Sequence, residues 1–235
     1  MTTAAASVPS VLPGTVQAAP PGLKGFDANT PLSAGAAQAF RAAGYRFCVR
    51  YVGRTAMADH DLTAAEARTL LDAGLALMVV QHVLPPHWSP STALGAEYGT
   101  NAATFTRQLG VPAGITVWCD LEGVLPGTDT ADVIGYCNAW HDAVTAAGYE
   151  PGLYVGYEPG LTAEELYGAL RFQHYWGAYN LDGDRVPATR GLQLKQHRGT
   201  GGTIAGIGTD SYDDDETMTD ALGGRAVWLH PGPAA

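Results

Sequence analysis

The chain has 235 residues, 46% of them hydrophobic, and a formal net charge of -10 with a pI near 5.0. That length can bury one large core, as a single barrel-sized domain or as two small ones, and we read one. The acidic balance argues against a nucleic-acid footprint and against capture by anionic membranes, and no apolar run approaches a transmembrane span, so neutral or sugar-like ligands fit better.

Residues 1–22 are rich in Ala, Pro, Ser and Thr and contain no Lys or Arg. They lack the basic start and continuous apolar centre of a secretory signal, and are expected to form a flexible arm, through which the protein could dock to a larger assembly. Further on, one phrase recurs: Ala-Ala-Gly44-Tyr, Asp-Ala-Gly74-Leu and Ala-Ala-Gly148-Tyr each precede an apolar run, and Gly110 plays a similar part. Each reads as a helix closed by a left-handed glycine and followed at once by a buried strand. The spacings of 30, 36 and 38 residues between these glycines are those of consecutive helix and strand units, which implies parallel strands.

Strands are predicted near 24–27, 46–52, 75–81, 115–121, 151–156, 174–178, 191–196 and 206–210. Helices are predicted over 33–43, 63–73, about 95–109, from about 128 onward with Val133, Cys137, Trp140 and Val144 on one stripe, and over 162–170 behind a Thr162/Glu165 capping box. After Gln173 the connections carry Gly, Asp, Pro and Thr with no amphipathic stripe. The expectation is an α/β fold, an incomplete (β/α)8 TIM-type barrel over 23–222 with few helices in its last third. An open doubly wound sheet is the competing architecture. The tail 223–235 is Gly- and Pro-punctuated, although Val227, Trp228 and Leu229 could pack back onto the body.

The stretch Ile115-Thr-Val-Trp-Cys-Asp120-Leu-Glu122 is a buried strand ending in two carboxylates. Side chains alternate along a strand, so Asp120 and Glu122 share one side, with Trp118 and Thr116 below them. Buried acids are costly unless paired, hydrogen-bonded or used, and paired carboxylates serve acid/base chemistry on glycosidic bonds. The functional reading makes Glu122 a general acid, with Asp120 stabilising positive charge on the sugar or orienting a neighbour. The alternative is a rim pair that caps the next loop or pairs with Arg50.

In a parallel barrel the working groups gather at the carboxyl ends of the strands. Those ends supply Asp27, Arg50, Tyr51, Gln81, His82, Tyr154, Tyr157, Trp176, Tyr179, Gln196, His197 and Asp210. Sugar rings stack their C–H faces on aromatics and bond their hydroxyls to carboxylates and amides, so this inventory suits a carbohydrate groove. Asp27 could bind substrate or share a proton with Asp120, but Asp27-Ala-Asn-Thr-Pro31 is also an ordinary Asx-type turn.

Other chemistries find little support. His82 and His197 have no second histidine or cysteine at metal-ligand spacing, so structural hydrogen bonding is favoured and no metal or other cofactor is expected. The run Asp213-Asp-Asp-Glu216 lacks the spacing of a calcium loop and reads as a solvated turn. Cys48, Cys119 and Cys137 sit in apolar segments and are expected to be buried and reduced. No nucleophile elbow and no phosphate-cradling loop are present.

Gly25-Phe-Asp27, Phe47-Cys-Val-Arg50-Tyr51, Ala73-Gly74-Leu75, Trp118-Cys-Asp120-Leu-Glu122, Gly152-Leu-Tyr154, Trp176-Gly-Ala-Tyr179, Gln196 and the late Asp210 together resemble the glycoside-hydrolase-like domain once catalogued as domain of unknown function 1906, itself similar to the family-25 lysozymes. The resemblance covers about residues 24–216 and implies an incomplete β/α barrel. By analogy, Glu122 matches the proton donor, and Asp27, Asp120 and Asp210 match its acidic surround, with Asp213 competing for the last place. The implied substrate is the peptidoglycan glycan chain, cut between N-acetylmuramic acid and N-acetylglucosamine. The sequence departs from the family-25 pattern at Gln81-His82-Val83 and Lys195-Gln196-His197. Two readings follow: a lysozyme-like glycosidase acting on peptidoglycan or another polysaccharide, or a barrel that binds glycan without cutting it, as a module of a phage tail, injection apparatus or cell surface. The first would need holin-like release or delivery by a particle, since no export signal is recognised.

Overall fold

A computed structural model describes residues 10–199 and 202–232. Ten strands and five helices follow in chain order: β1 (Thr15–Ala18), β2 (Lys24–Ala28), α1 (Ala34–Ala42), β3 (Phe47–Val52), α2 (Ala64–Asp72), β4 (Ala76–Gln81), α3 (Thr92–Gln108), β5 (Thr116–Leu121), α4 (Thr130–Ala146), β6 (Glu150–Val155), α5 (Ala163–Gly168), β7 (His174–Gly177), β8 (Leu194–His197), β9 (Tyr212–Thr217) and β10 (Val227–His230). Helix starts are fixed by side chains, since Ser33, Thr63, Ser91, Asp129 and Thr162 each accept a hydrogen bond from a backbone N–H of the first turn.

Strands β2 to β9 close a barrel in the order β4-β3-β2-β9-β8-β7-β6-β5, with β4 pairing back onto β5. The neighbours from β2 through β8 are parallel, and β9 runs antiparallel to both β8 and β2. This is the barrel expected from sequence, and its helices likewise thin out after β6.

Alternation along each strand sorts the residues. Phe47, Val49, Met78, Val80, Trp118, Tyr154, Trp176 and Leu194 point inward and form the barrel's own core. Phe26, Cys48, Leu77, Val79, Val117, Cys119 and Leu153 point outward and pack under the helices. Gly152 makes the interior possible, because a Cβ there would meet the Trp118 ring at 2.3 Å. All three cysteines are buried and unpaired.

Both ends of the chain meet the barrel. Residues 1–9 of the expected arm lie outside the described residues, and the segment from Ser10 to Gly22, largely exposed, is tied to the body at a few points. Leu12 is buried, its N–H donates to Gly110 O at 2.7 Å, and β1 pairs antiparallel with β10. The second strand, β10, bonds β4 at Leu229↔Leu77 and sets Trp228 against Phe47 in the barrel interior. The tail does pack back, and with β1 it closes the end of the barrel opposite the acids.

The last barrel strand also lies elsewhere. Residues 206–210 are turn, with Ile204 and Ile207 forming a small bridge, and the strand begins at Tyr212. The acidic run expected as a solvated turn is the strand itself. Asp214 and Asp215 are buried there, because closing the ring requires a partner for both β2 and β8 whatever its composition.

Candidate active site

At the carboxyl end of the parallel strands opens a cavity of about 240 Å³ lined by Tyr51, Asp120, Glu122, Tyr154, Tyr157, Tyr179, Asn180, Gln196 and Asp213. Register explains the gathering. Asp120 lies opposite Tyr154 across β5 and β6, and Asp27 lies opposite Asp213 across β2 and β9. Asp215 lies opposite Gln196 across β9 and β8.

Glu122 is held by its backbone from two sides. Trp88 Nε1 donates to Glu122 O at 2.8 Å, and Gly123 N donates to Tyr157 O at 2.8 Å. Its side chain occupies space left by Gly156, where a Cβ would come within 2.2 Å of Glu122 Oε2. The carboxyl is half-buried, and burial lifts its pKa from 4.5 to about 7. Asp120, 7% exposed, has one buried oxygen without a hydrogen-bond partner among the described residues. Its proton affinity is raised by burial and then by repulsion from Glu122 and Asp27, against a smaller opposing pull from Arg54.

Asp27 sits in a polar chain. Tyr51 donates its hydroxyl to Asp27 Oδ1 at 3.0 Å, and Gln196 Nε2 donates to Asp27 Oδ2 at 2.8 Å. Gln196 in turn accepts at Oε1 from Tyr154 hydroxyl at 3.0 Å. Burial still prevails over these hydrogen bonds and raises Asp27 to about 7. Asp215 is likewise raised, by burial and the Asp27 charge, and accepts from Trp176 Nε1 at 2.9 Å. The result is a set of carboxyls whose proton affinity is raised and which can give or take protons, with no lysine or arginine among the described residues lining the cavity.

The structure places the sequence candidates unequally. Glu122, Asp120, Tyr51, Tyr154, Tyr179 and Gln196 line the cavity, and Asp27 lies directly behind Tyr51 and Gln196. Trp176 is 1% exposed and stacks edge-on against Tyr154 at 4.6 Å, so it supports the floor instead of meeting a ligand. His82 stacks on Tyr51 at 4.6 Å and stands at the edge.

Arg50 is misplaced by the sequence reading. Tyr51 faces inward, so its neighbour must face the helices, and there the Arg50 guanidinium pairs with Glu66 at 2.7 Å and donates to backbone carbonyls of Ala28 and His60. Gln81 faces outward for the same reason and bonds Tyr98 O and Trp140 Nε1. Asp210 is exposed on the turn before β9 and lines no part of the cavity; Asp213 and Asp215 stand where it was expected. Asn180 and Asp215 were missed. The only signal for Asp215 was that Tyr212 and Thr217, both strand-forming residues, bound the acidic run.

A closed, mostly parallel barrel whose mouth gathers acids, amides and tyrosines is a glycoside-hydrolase-like architecture. The chain belongs to the Rv2525c-like, glycoside hydrolase-like domain family, whose model matches residues 38–216. Among solved structures it is similar to an uncharacterized B. stearothermophilus protein at 19% identity and a TM-score of 0.63, covering 84% of this chain and 96% of that one. The Mycobacterium tuberculosis Tat-secreted protein Rv2525c in complex with L-tartrate shares 15% identity and a TM-score of 0.61, over 83% and 95% of the two chains. A bacterial lysozyme from Streptomyces coelicolor shares 17% identity and a TM-score of 0.59, over 86% and 94%. At such identities the likeness is one of fold. No curated protein matches the chain.

Proposed function

We propose that this protein hydrolyses the glycan chains of peptidoglycan in the manner of a lysozyme, with Glu122 as general acid. One observation carries the reading: a half-buried Glu122 with its pKa lifted to about 7 stands at the mouth of a barrel beside the more deeply buried Asp120. The family membership and the lysozyme neighbours support a polysaccharide substrate.

In the proposed reaction the Glu122 proton passes to the bridging oxygen as the bond from that oxygen to the anomeric carbon breaks. Positive charge develops on the sugar ring and is stabilised by the negative charge left on Asp120 when the two neighbouring carboxyls share a single proton, carried by Glu122. Water then adds its oxygen to the anomeric carbon, and its proton returns to the acidic cluster, restoring Glu122. Tyr157 and Tyr179, 36% and 40% exposed on the rim, offer flat faces to the sugar rings on either side.

Purified protein incubated with cell-wall glycan should release new reducing ends, at a rate that falls as pH rises through about 7, where Glu122 loses its proton. Glu122→Gln should abolish release while preserving the fold. Unchanged release by that variant would remove Glu122 from the mechanism. Glycan binding without turnover in either form would instead make the barrel a binding module, a reading that the net charge of -10 favours, since anionic walls are better approached by basic enzymes.

A further inference from the structure

His60, Asp61 and His82 play no part in that reaction, yet they converge at the edge of the same cavity. The segment 53–62 between β3 and α2 is held from several sides. Arg50 Nη2 donates to His60 O at 3.0 Å, Ala58 N donates to Asp61 Oδ2 at 2.7 Å, and Leu62 N donates to Tyr51 O at 2.9 Å. Gly53 permits this close fold, since a Cβ there would lie 1.8 Å from Ala56 O. Asp61, with its side chain 1% exposed, therefore presents Oδ1 in a fixed direction. His82 Nε2 meets that oxygen at 2.8 Å, and His60 Nε2 approaches the same oxygen at 3.8 Å. The three donor atoms lie within 4.8 Å of one another.

We propose that His60, Asp61 and His82 form a binding site for a divalent transition-metal ion of the zinc type at the lip of the cleft. Zinc takes imidazole nitrogen and carboxylate oxygen at about 2.0–2.2 Å in a tetrahedral arrangement, which sets neighbouring donor atoms about 3.4 Å apart. Asp61 and His82 reach that spacing by opening slightly, and His60, whose side chain is 57% exposed, is free to swing inward. Water completes the fourth position. Two imidazoles with one carboxylate select zinc, copper or nickel over magnesium and calcium, which prefer all-oxygen sites. The spacing in sequence, two adjacent residues and a third on the next strand's end, matches no metal motif, which is why sequence favoured a structural histidine.

The ion would have a local consequence. His82 stacks on Tyr51, and Tyr51 donates to Asp27, so a metal fixing the His82 ring would stiffen one wall of the acidic cleft. The competing account is that Asp61 merely orients His82 and His60 is idle.

Titration of chelator-treated, dialysed full-length protein with zinc chloride alone, followed by calorimetry, distinguishes the two. One ion per chain is expected, and cobalt chloride should give the visible absorption of a four-coordinate cobalt centre. His60→Ala removes an exposed side chain, so the fold survives, and it should weaken zinc binding at least about tenfold, or about 1.4 kcal/mol. His82→Gln should do the same, and His197→Ala, an exposed histidine elsewhere, should change nothing. Absence of uptake, uptake unaffected by His60→Ala, or equal loss in His197→Ala would overturn the site. The titration needs no turnover, so its failure and that of the glycosidase reading are separable.

Discussion

Replacing Asp27 with asparagine should destabilise the protein in acid and stabilise it above neutrality. Asp27 is 4% exposed, and its pKa rises from 3.8 to about 7 chiefly because burial penalises the charged form. At about 1.4 kcal/mol for each tenfold change in proton affinity, ionising this group inside the fold costs about 4 kcal/mol of stability. The sign follows from proton binding. The native state holds the Asp27 proton more tightly than the unfolded chain, so the contribution is complete below pH 3.8 and is lost as pH rises through about 7. Asparagine carries no charge to bury. It does lose an acceptor: Asp27 accepts from both Tyr51 and Gln196, and the asparagine amide can accept from only one, at a cost of about 1–3 kcal/mol. Urea denaturation at pH 4 should therefore show Asp27→Asn less stable than the parent by about 1–3 kcal/mol. At pH 8 the lost charge penalty outweighs the lost bond, and the variant should be the more stable by about 1–3 kcal/mol. A stability difference that does not change sign or magnitude between the two pH values would refute the claim that Asp27 carries a strongly raised pKa.

Three further variants test the packing of the barrel and its helices. Arg50→Met should cost about 3–5 kcal/mol of stability, because Glu66 is left buried without its partner. Its glycan dissociation constant should equal that of the parent, which native-state binding measurements would check, since Arg50 faces the helices. At the contact between α3 and α4, Gly95→Ala should cost about 1–3 kcal/mol, because its Cβ would fall 2.1 Å from Tyr136 O. Gly168→Ala in α5, where nothing lies within 4 Å, should be neutral or stabilising by up to about 1 kcal/mol; thermal melts of both glycine variants check this.

The difference between what sequence revealed and what it concealed has a physical pattern. The parallel strands announced themselves because their apolar runs are bounded by helix-closing glycines, and Gly44, Gly74, Gly110 and Gly148 all take positive φ. Glu122 and Asp120 were legible because two acids following a run as apolar as Ile115–Cys119 have no inexpensive explanation. Arg50 failed for a reason of parity: adjacent strand residues cannot both face the barrel, and sequence names the pair without saying which is in. Asp210 failed because β9 is built from acids, and local composition there opposes the strand that closure requires.

That last conflict bears on function. A strand of consecutive carboxylates, two of them buried, is a poor choice if the barrel needs only to close; Val or Thr at the inward positions would do so without charge to bury. Asp213 and Asp215 face inward beside Asp27, where the Asp213 charge raises its proton affinity and a hydrogen bond with Asp215 lowers it, while Asp214 faces out and accepts from Tyr45 at 2.6 Å. Local propensity and global fold disagree at β9, and such disagreements concentrate where a site is maintained at the expense of stability. The strand hardest to recognise in the sequence is therefore the one that gives the strongest independent reason to place proton chemistry at this mouth of the barrel.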